Sequence, residues 1–247
     1  MKNMRFERLI EIRPVRQLAG LVGLAVALLA GPVGAQGIYL AKGQLDGVAL
    51  LPPPPTLDSE EEVAELAEVR LVFKARTPAE TARAEKDASL SIFNFAAVIG
   101  PDFKPGRFPK VEALFERVKT NITESINTPK YYYKRLRPYQ VDTNLTLGAP
   151  EVSPSYPSGH SSRGTVQSLL LAELFPGKRA EILEFGREIG WDRVLIGKHF
   201  PTDVQAGRVL GRAIVRELMA SPAFQRDLAD AKEEVRARQA VENPVKK

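Results

Sequence analysis

Apolar and polar positions along this chain recur at steps of three and four, and no stretch alternates convincingly with period two. Val111, Leu114, Phe115, Val118, Ile122 and Ile126 form one such stripe. Ile182, Phe185, Ile189, Arg193 and Ile196 form a second. Start and stop signals bracket these runs. Ser59 with Glu62 predicts a capped helix start, running to about Arg76. Thr77-Pro78-Ala79-Glu80 predicts a second start, with Gly100 as its stop. The helix carrying the first stripe is expected to end before Pro129, and a loop is expected from Gln140 to Pro157. Further helices are expected over Ser158–Phe175, from about Arg179 to Lys198, and from near Pro201 to Met219, where Gly207 and Gly211 allow close helix contact. Ser221-Pro222 opens a last, charged helix that frays before Asn243-Pro244. The pattern predicts an all-α fold: a single helical domain over residues 58–241, preceded by an extended Pro-rich arm (36–57) and followed by a short tail (242–247).

The first 35 residues stand apart. Lys2, Arg5, Arg8, Arg13 and Arg16 precede an apolar run from Leu18 to Ala30, shorter than the roughly 20 residues a membrane span needs. Small residues follow up to Ala35. This reads as a secretory signal peptide cleaved after Ala35, giving a periplasmic or secreted protein with no stable membrane association; an uncleaved anchor is the competing reading.

Composition narrows the chemistry. The 247 residues are 44% hydrophobic and 26% charged, values of an ordinary globular chain. Cys is absent, which excludes a disulfide scaffold, a thiolate metal site and a cysteine nucleophile. With only His160 and His199, a three-histidine metal site is excluded too. The formal charge of +5 falls to about +2 once residues 1–35 are set aside, and no basic block with interleaved aromatics suggests nucleic acid.

Three segments concentrate reactive residues: Lys130 to Pro138, Tyr156 to His160, and Arg193 to Asp203. Arg193 lies on an apolar stripe, and an unpaired buried guanidinium is very costly, so something anionic must meet it. A structural salt bridge would suffice on its own. His199 and Asp203 nearby change that weighting, because a carboxylate on one imidazole nitrogen leaves the other as base or nucleophile. Ser158 and Gly159 open an apolar helix, whose free N–H groups favour an anion. Lys130 and Arg137 add two cations, while Lys134 and Arg135 read as a solvated charge run. Lysine, two arginines, a capped helix start and two histidines suit a doubly charged tetrahedral oxyanion such as phosphate. No carboxylates cluster in metal-ligand fashion, so no metal or cofactor is expected.

These residues, in this order, resemble a known signature. Lys130 and six residues later Arg137-Pro138, then Pro157-Ser158-Gly159-His160, then Arg193, five residues, His199, three residues and Asp203, resemble the type 2 phosphatidic-acid phosphatase superfamily. Within it, the chain resembles the secreted bacterial class A nonspecific acid phosphatases, which share the leader, the Leu50–Pro55 stretch and the all-helical length. The resemblance covers roughly residues 45 to 220. It implies a bundle of the acid phosphatase/vanadium haloperoxidase type that hydrolyses small-molecule phosphate monoesters without a metal. His199 would be the nucleophile, Asp203 its orienting partner and His160 the general acid. Lys130, Arg137, Ser158, Gly159 and Arg193 would cradle the phosphate. A homo-oligomer is common in that branch. One position departs: Asp192 stands where the family usually has Ser, putting a negative charge near the cradle. A membrane lipid phosphatase, a vanadium-dependent haloperoxidase and a non-catalytic phosphate-binding protein are the alternatives that share parts of this pattern.

Overall fold

The computed structural model of the chain describes residues 39–145 and 147–242. The expectations for the leader and for the extreme C-terminus lie outside them. Among the described residues there are helices and no strands, so the fold is all-α. The helices are α1 (Gly47–Leu50), α2 (Glu60–Ala75), α3 (Pro78–Asp87), α4 (Ala96–Ile99), α5 (Pro109–Tyr133), α6 (Pro138–Val141), α7 (Gly159–Leu174), α8 (Arg179–Leu195), α9 (Pro201–Ala220) and α10 (Pro222–Glu242).

The starts follow the capping chemistry in the sequence. Ser59 accepts from the Glu62 N–H, Thr77 and Glu80 form a reciprocal capping box, and Ser158 accepts from the Ser161 N–H. Both predicted apolar stripes are buried, on α5 and on α8 with the turn after it. Each such aliphatic or aromatic side chain contributes about 1.5–3 kcal/mol through burial. Helix α7 packs between α8 and α9. At Gly207 of α9 a Cβ would fall 2.6 Å from the Ser158 carbonyl oxygen, so only glycine lets α9 approach the start of α7 this closely.

Four local expectations are corrected. Residues 77–100 are not one helix: α3 ends at Asp87, a 3-10 turn covers Ile92–Phe95, and α4 reaches Ile99 before Gly100. Ser89 and Ser91 intervene and bond local backbone groups, which competes with the helix. The arm is not wholly extended, since Asp46 caps the short α1. It is also pinned to the body: Leu51 is buried, and the Tyr133 hydroxyl donates to the Leu51 carbonyl at 2.9 Å.

Helix α5 does not end before Pro129 but continues to Tyr133. Gly47 makes room for the ring: a Cβ there would sit 3.0 Å from Pro129 Cγ. That extra turn is what carries Lys130 into the interior. Helix α8 stops at Leu195, short of Lys198. Gly197, at φ +67°, supports a Schellman stop in which the Lys198 N–H reaches the Arg193 carbonyl at 2.8 Å and the Gly197 N–H reaches Val194 at 3.0 Å. The stop turns the chain so that His199 lies beside the start of α7.

Candidate active site

The three segments singled out by the sequence meet at one place. Lys130 comes from the last turn of α5, Arg137 from the extended step before α6, Ser158 and His160 from the start of α7. Arg193 comes from the last turn of α8, and His199 and Asp203 from the turn into α9. Lys130, Arg137, Ser158, Arg193, His199 and Asp203 are all buried. Gly159 packs against the Lys130 stem, its missing Cβ 3.5 Å from Lys130 Cε.

His199 is held on both sides. Its Nδ1 lies 3.4 Å from Asp203 Oδ2 and 3.3 Å from the Ser155 hydroxyl, while Arg137 Nη1 points at Nε2 from 3.3 Å. An arginine can only donate, so Nε2 carries a lone pair and Nδ1 the proton. Burial, followed by the charges of Arg137 and Lys130, holds the His199 pKa well below the ordinary 6.5. The ring is therefore a neutral imidazole whose Nε2 lone pair faces Arg137.

Asp203 is itself fixed by Arg135 at 2.8 Å, the Phe200 N–H at 2.9 Å and the Ser155 hydroxyl at 2.5 Å. Arg135 corrects the expectation of a solvated run. It is buried, bonds Glu65 at 2.8 Å, and stacks 4.0 Å over the Phe200 ring. Lys134 takes the left-handed conformation that ends α5, and the extended step beyond it turns Arg135 and Arg137 inward and Leu136 outward. Alternation across three residues before a proline was the available signal.

The cations converge on a carboxylate that sequence reasoning missed. Arg137 Nη2 bonds one oxygen of Glu151 at 2.8 Å, and Arg193 Nη2 bonds the other. Glu151, His160 and His199 each bring a ligand-type atom within 4.8 Å of the other two. Burial would raise the Glu151 pKa, but Arg137, His199, Arg193 and His160 outweigh it and bring it to about 2. Burial and then Arg137 lower the Lys130 ammonium to about 7, although its Nζ donates to the Pro154 carbonyl at 2.7 Å. A carboxylate with two imidazoles is a metal-type donor set. Three cations crowd the same point, which suits an anion better. Arg193 retains two buried nitrogens, Nε and Nη1, without a hydrogen-bond partner.

His160 faces the mouth. Its Nε2 lies 3.3 Å from the Ala88 carbonyl, which can only accept, so Nδ1 is the free nitrogen. Burial and the Arg193 charge lower its pKa to about 3. The ring also lines a cavity of about 580 Å³ whose walls include Leu90, Phe93, Phe115, Ile122 and Arg163.

Comparison with known proteins identifies the family. The PAP2 superfamily model matches residues 118–227, which hold all three segments. A non-specific acid phosphatase of Providencia stuartii is 34% identical over 210 residues, covering 79% of this chain and 84% of that protein. The chain belongs to the PAP2 superfamily. Its relatives there also include a non-specific acid phosphatase of Salmonella typhimurium, 29% identical over 89% of this chain and 92% of the relative. An acid phosphatase of Zymomonas mobilis is 29% identical over 81% and 79%. These relatives together with the family make the chain an enzyme of the phosphomonoesterase class. Among solved structures, a transmembrane PAP2 type phosphatidylglycerolphosphate phosphatase from Bacillus subtilis aligns at 20% identity and a TM-score of 0.45, over 66% of this chain and 87% of that one. Among the described residues here, no helix is long and apolar enough to cross a membrane.

The residue that departs from the usual PAP2 pattern is also accounted for. Asp192 is fully buried, and its charge does not face the cradle alone: Arg83 of α3 grips it with Nη2 at 2.6 Å and Nε at 3.0 Å. The Asp192 charge is thus met locally by a neutralising guanidinium. Burial, and then the Asp192 charge, raise the pKa of neighbouring Asp87 to about 6.

Proposed function

We propose that this PAP2 enzyme is an exported acid phosphatase that cleaves phosphate monoesters of broad structure through a phosphohistidine on His199. The observation that carries the reading is the convergence of both imidazoles and two guanidinium groups on a single anion, the Glu151 carboxylate. The same groups fit a phosphoryl group better, because its additional oxygens reach the unpartnered nitrogens of Arg193.

In the first step the Nε2 lone pair of His199 attacks phosphorus and the ester P–O bond breaks. Arg137, Arg193 and Lys130 stabilise charge on the equatorial oxygens. Asp203 holds Nδ1–H and offsets the positive charge that the imidazole gains. The leaving oxygen takes a proton from His160. That ring is neutral in the free protein, so the proton arrives with substrate: the monoester monoanion brings it, and the bound phosphoryl charge raises the His160 pKa. In the second step water attacks phosphorus, His160 takes its proton, and the P–N bond breaks. An alcohol in place of water would give phosphotransfer. The mixed apolar and polar cavity beside His160 takes the alcohol portion, which supports a broad range. The basic and apolar leader at residues 2–30 supports export.

The test is turnover of aryl, nucleoside and sugar monoesters, with and without chelator. Release of phosphate from all three classes, unaffected by chelator, is expected. Loss of activity with chelator, or tight phosphate binding without turnover, would contradict the reading.

A further inference from the structure

Glu151 lies in the segment between Leu145 and α7, 42 residues before Arg193. Its side chain bridges the two arginines of the cradle, one oxygen to each, with His160, His199 and Lys198 also facing it. A carboxylate in that position imitates two oxygens of a phosphoryl group. The imitation is incomplete, because Arg193 Nε and Nη1 stay buried without partners. From these contacts we infer that Glu151 is an internal competitor of the substrate phosphate, occupying the cradle in the resting enzyme and leaving it when a phosphoryl group enters. The inference rests on the phosphate-cradle reading above and adds a residue that sets substrate affinity.

The surroundings show which part moves. The Tyr139 hydroxyl bonds both backbone groups of Glu151, accepting from its N–H at 2.9 Å and donating to its carbonyl at 3.2 Å. The backbone is therefore clamped, and release is a rotation of the side chain. That side chain is 26% exposed, so it sits at the edge of the interior and is not sealed within it. With the carboxyl pKa near 2, the group is ionised throughout the working range and competes as a charge at every relevant pH. An occupant present nine-tenths of the time weakens the apparent affinity for phosphate about tenfold, since only the open fraction binds.

The experiment is calorimetric titration of inorganic phosphate into the purified wild-type protein, Glu151→Gln and Glu151→Asp at pH 6, with circular dichroism as the fold check. Glutamine removes the charge, and aspartate keeps it on a stem too short to bridge both arginines. The expected result is phosphate binding about tenfold tighter or more in Glu151→Gln, with Glu151→Asp intermediate. The KM for p-nitrophenyl phosphate should fall in the same order. Should Glu151→Gln not fold alone, Glu151→Asp carries the test, and its binding must still be tighter than wild type. Unchanged phosphate binding in both variants overturns the competitor and leaves the cradle standing; weaker binding in both overturns it too and makes Glu151 a clamp that shapes the site. Absence of phosphate binding in all three proteins overturns the competitor and the cradle together.

Discussion

His199 and Asp203 face each other across the start of α9, and the carboxylate meets the ring on its Nδ1 side at 3.4 Å while Nε2 faces Arg137. The extended Phe200 at the helix cap brings the two side chains within reach. What fixes the geometry is the set of groups behind Asp203, above all Arg135 at 2.8 Å.

Arg135 is thus a positioning residue. Arg135→Ala should lower kcat by about 10- to 100-fold, by analogy with the loss of an outer partner of a metal-bound histidine. KM should change much less, because Arg135 does not touch the cradle. Arg135→Lys should restore part of the loss, keeping the charge without the two-pronged grip on Asp203 and Glu65. A large KM increase with unchanged kcat would show that Arg135 binds substrate instead.

Arg83 should matter for stability. Arg83→Ala leaves the Asp192 carboxylate buried and unpaired, at a cost of about 3 kcal/mol, the low end for a broken buried pair because Arg83 is partly exposed. The double variant Arg83→Ala/Asp192→Ser should regain most of this, as measured by urea unfolding. Additive losses would mean that the pair is not coupled.

The pH profile follows from three directions. His199 is held far below 6.5 and remains a neutral nucleophile into the acid range. Lys130 begins to lose its charge near 7 in the free enzyme. The monoester monoanion that carries the proton disappears above about pH 6. kcat/KM should therefore be highest below about pH 6 and fall steadily above it. The linkage to stability has a matching sign. His199, His160 and Glu151 all have depressed values, so what they contribute is present above their ordinary pKa values and lost as pH falls toward the folded ones. Thermal stability without phosphate should decline below about pH 6.5 and further below about 4.5. An activity maximum above pH 8 would refute this assignment.

His160→Ala should depend on the leaving group. Alkyl monoesters need a proton and should lose about 10²- to 10⁴-fold, whereas p-nitrophenyl phosphate should lose far less in the phosphorylation step. Equal losses on both substrates, read from single-turnover rates, would remove His160 from the acid role.

The helical fold and the burial of Arg193 were readable from local chemistry: caps at Ser59, Thr77 and Ser158, two apolar stripes, and Arg193 set on one of them. What escaped depends on partners distant in sequence. Asp192 meets an arginine 109 residues away, and Arg135 meets Glu65 across 70. Nothing near either residue announces the other. Glu151 sits in a segment with no periodicity, so its burial against two arginines had no pattern to betray it. The end of α5 was misplaced because the room for Pro129 comes from Gly47, on another element.

The most direct measurement is a rapid alkaline quench of the enzyme turning over a ³²P-labelled monoester, followed by mapping of the label. Label that survives alkali, is lost in acid, maps to the peptide holding His199 and is absent from His199→Ala is the predicted result. No protein-bound label under conditions of turnover, or label that alkali removes, would contradict the phosphohistidine.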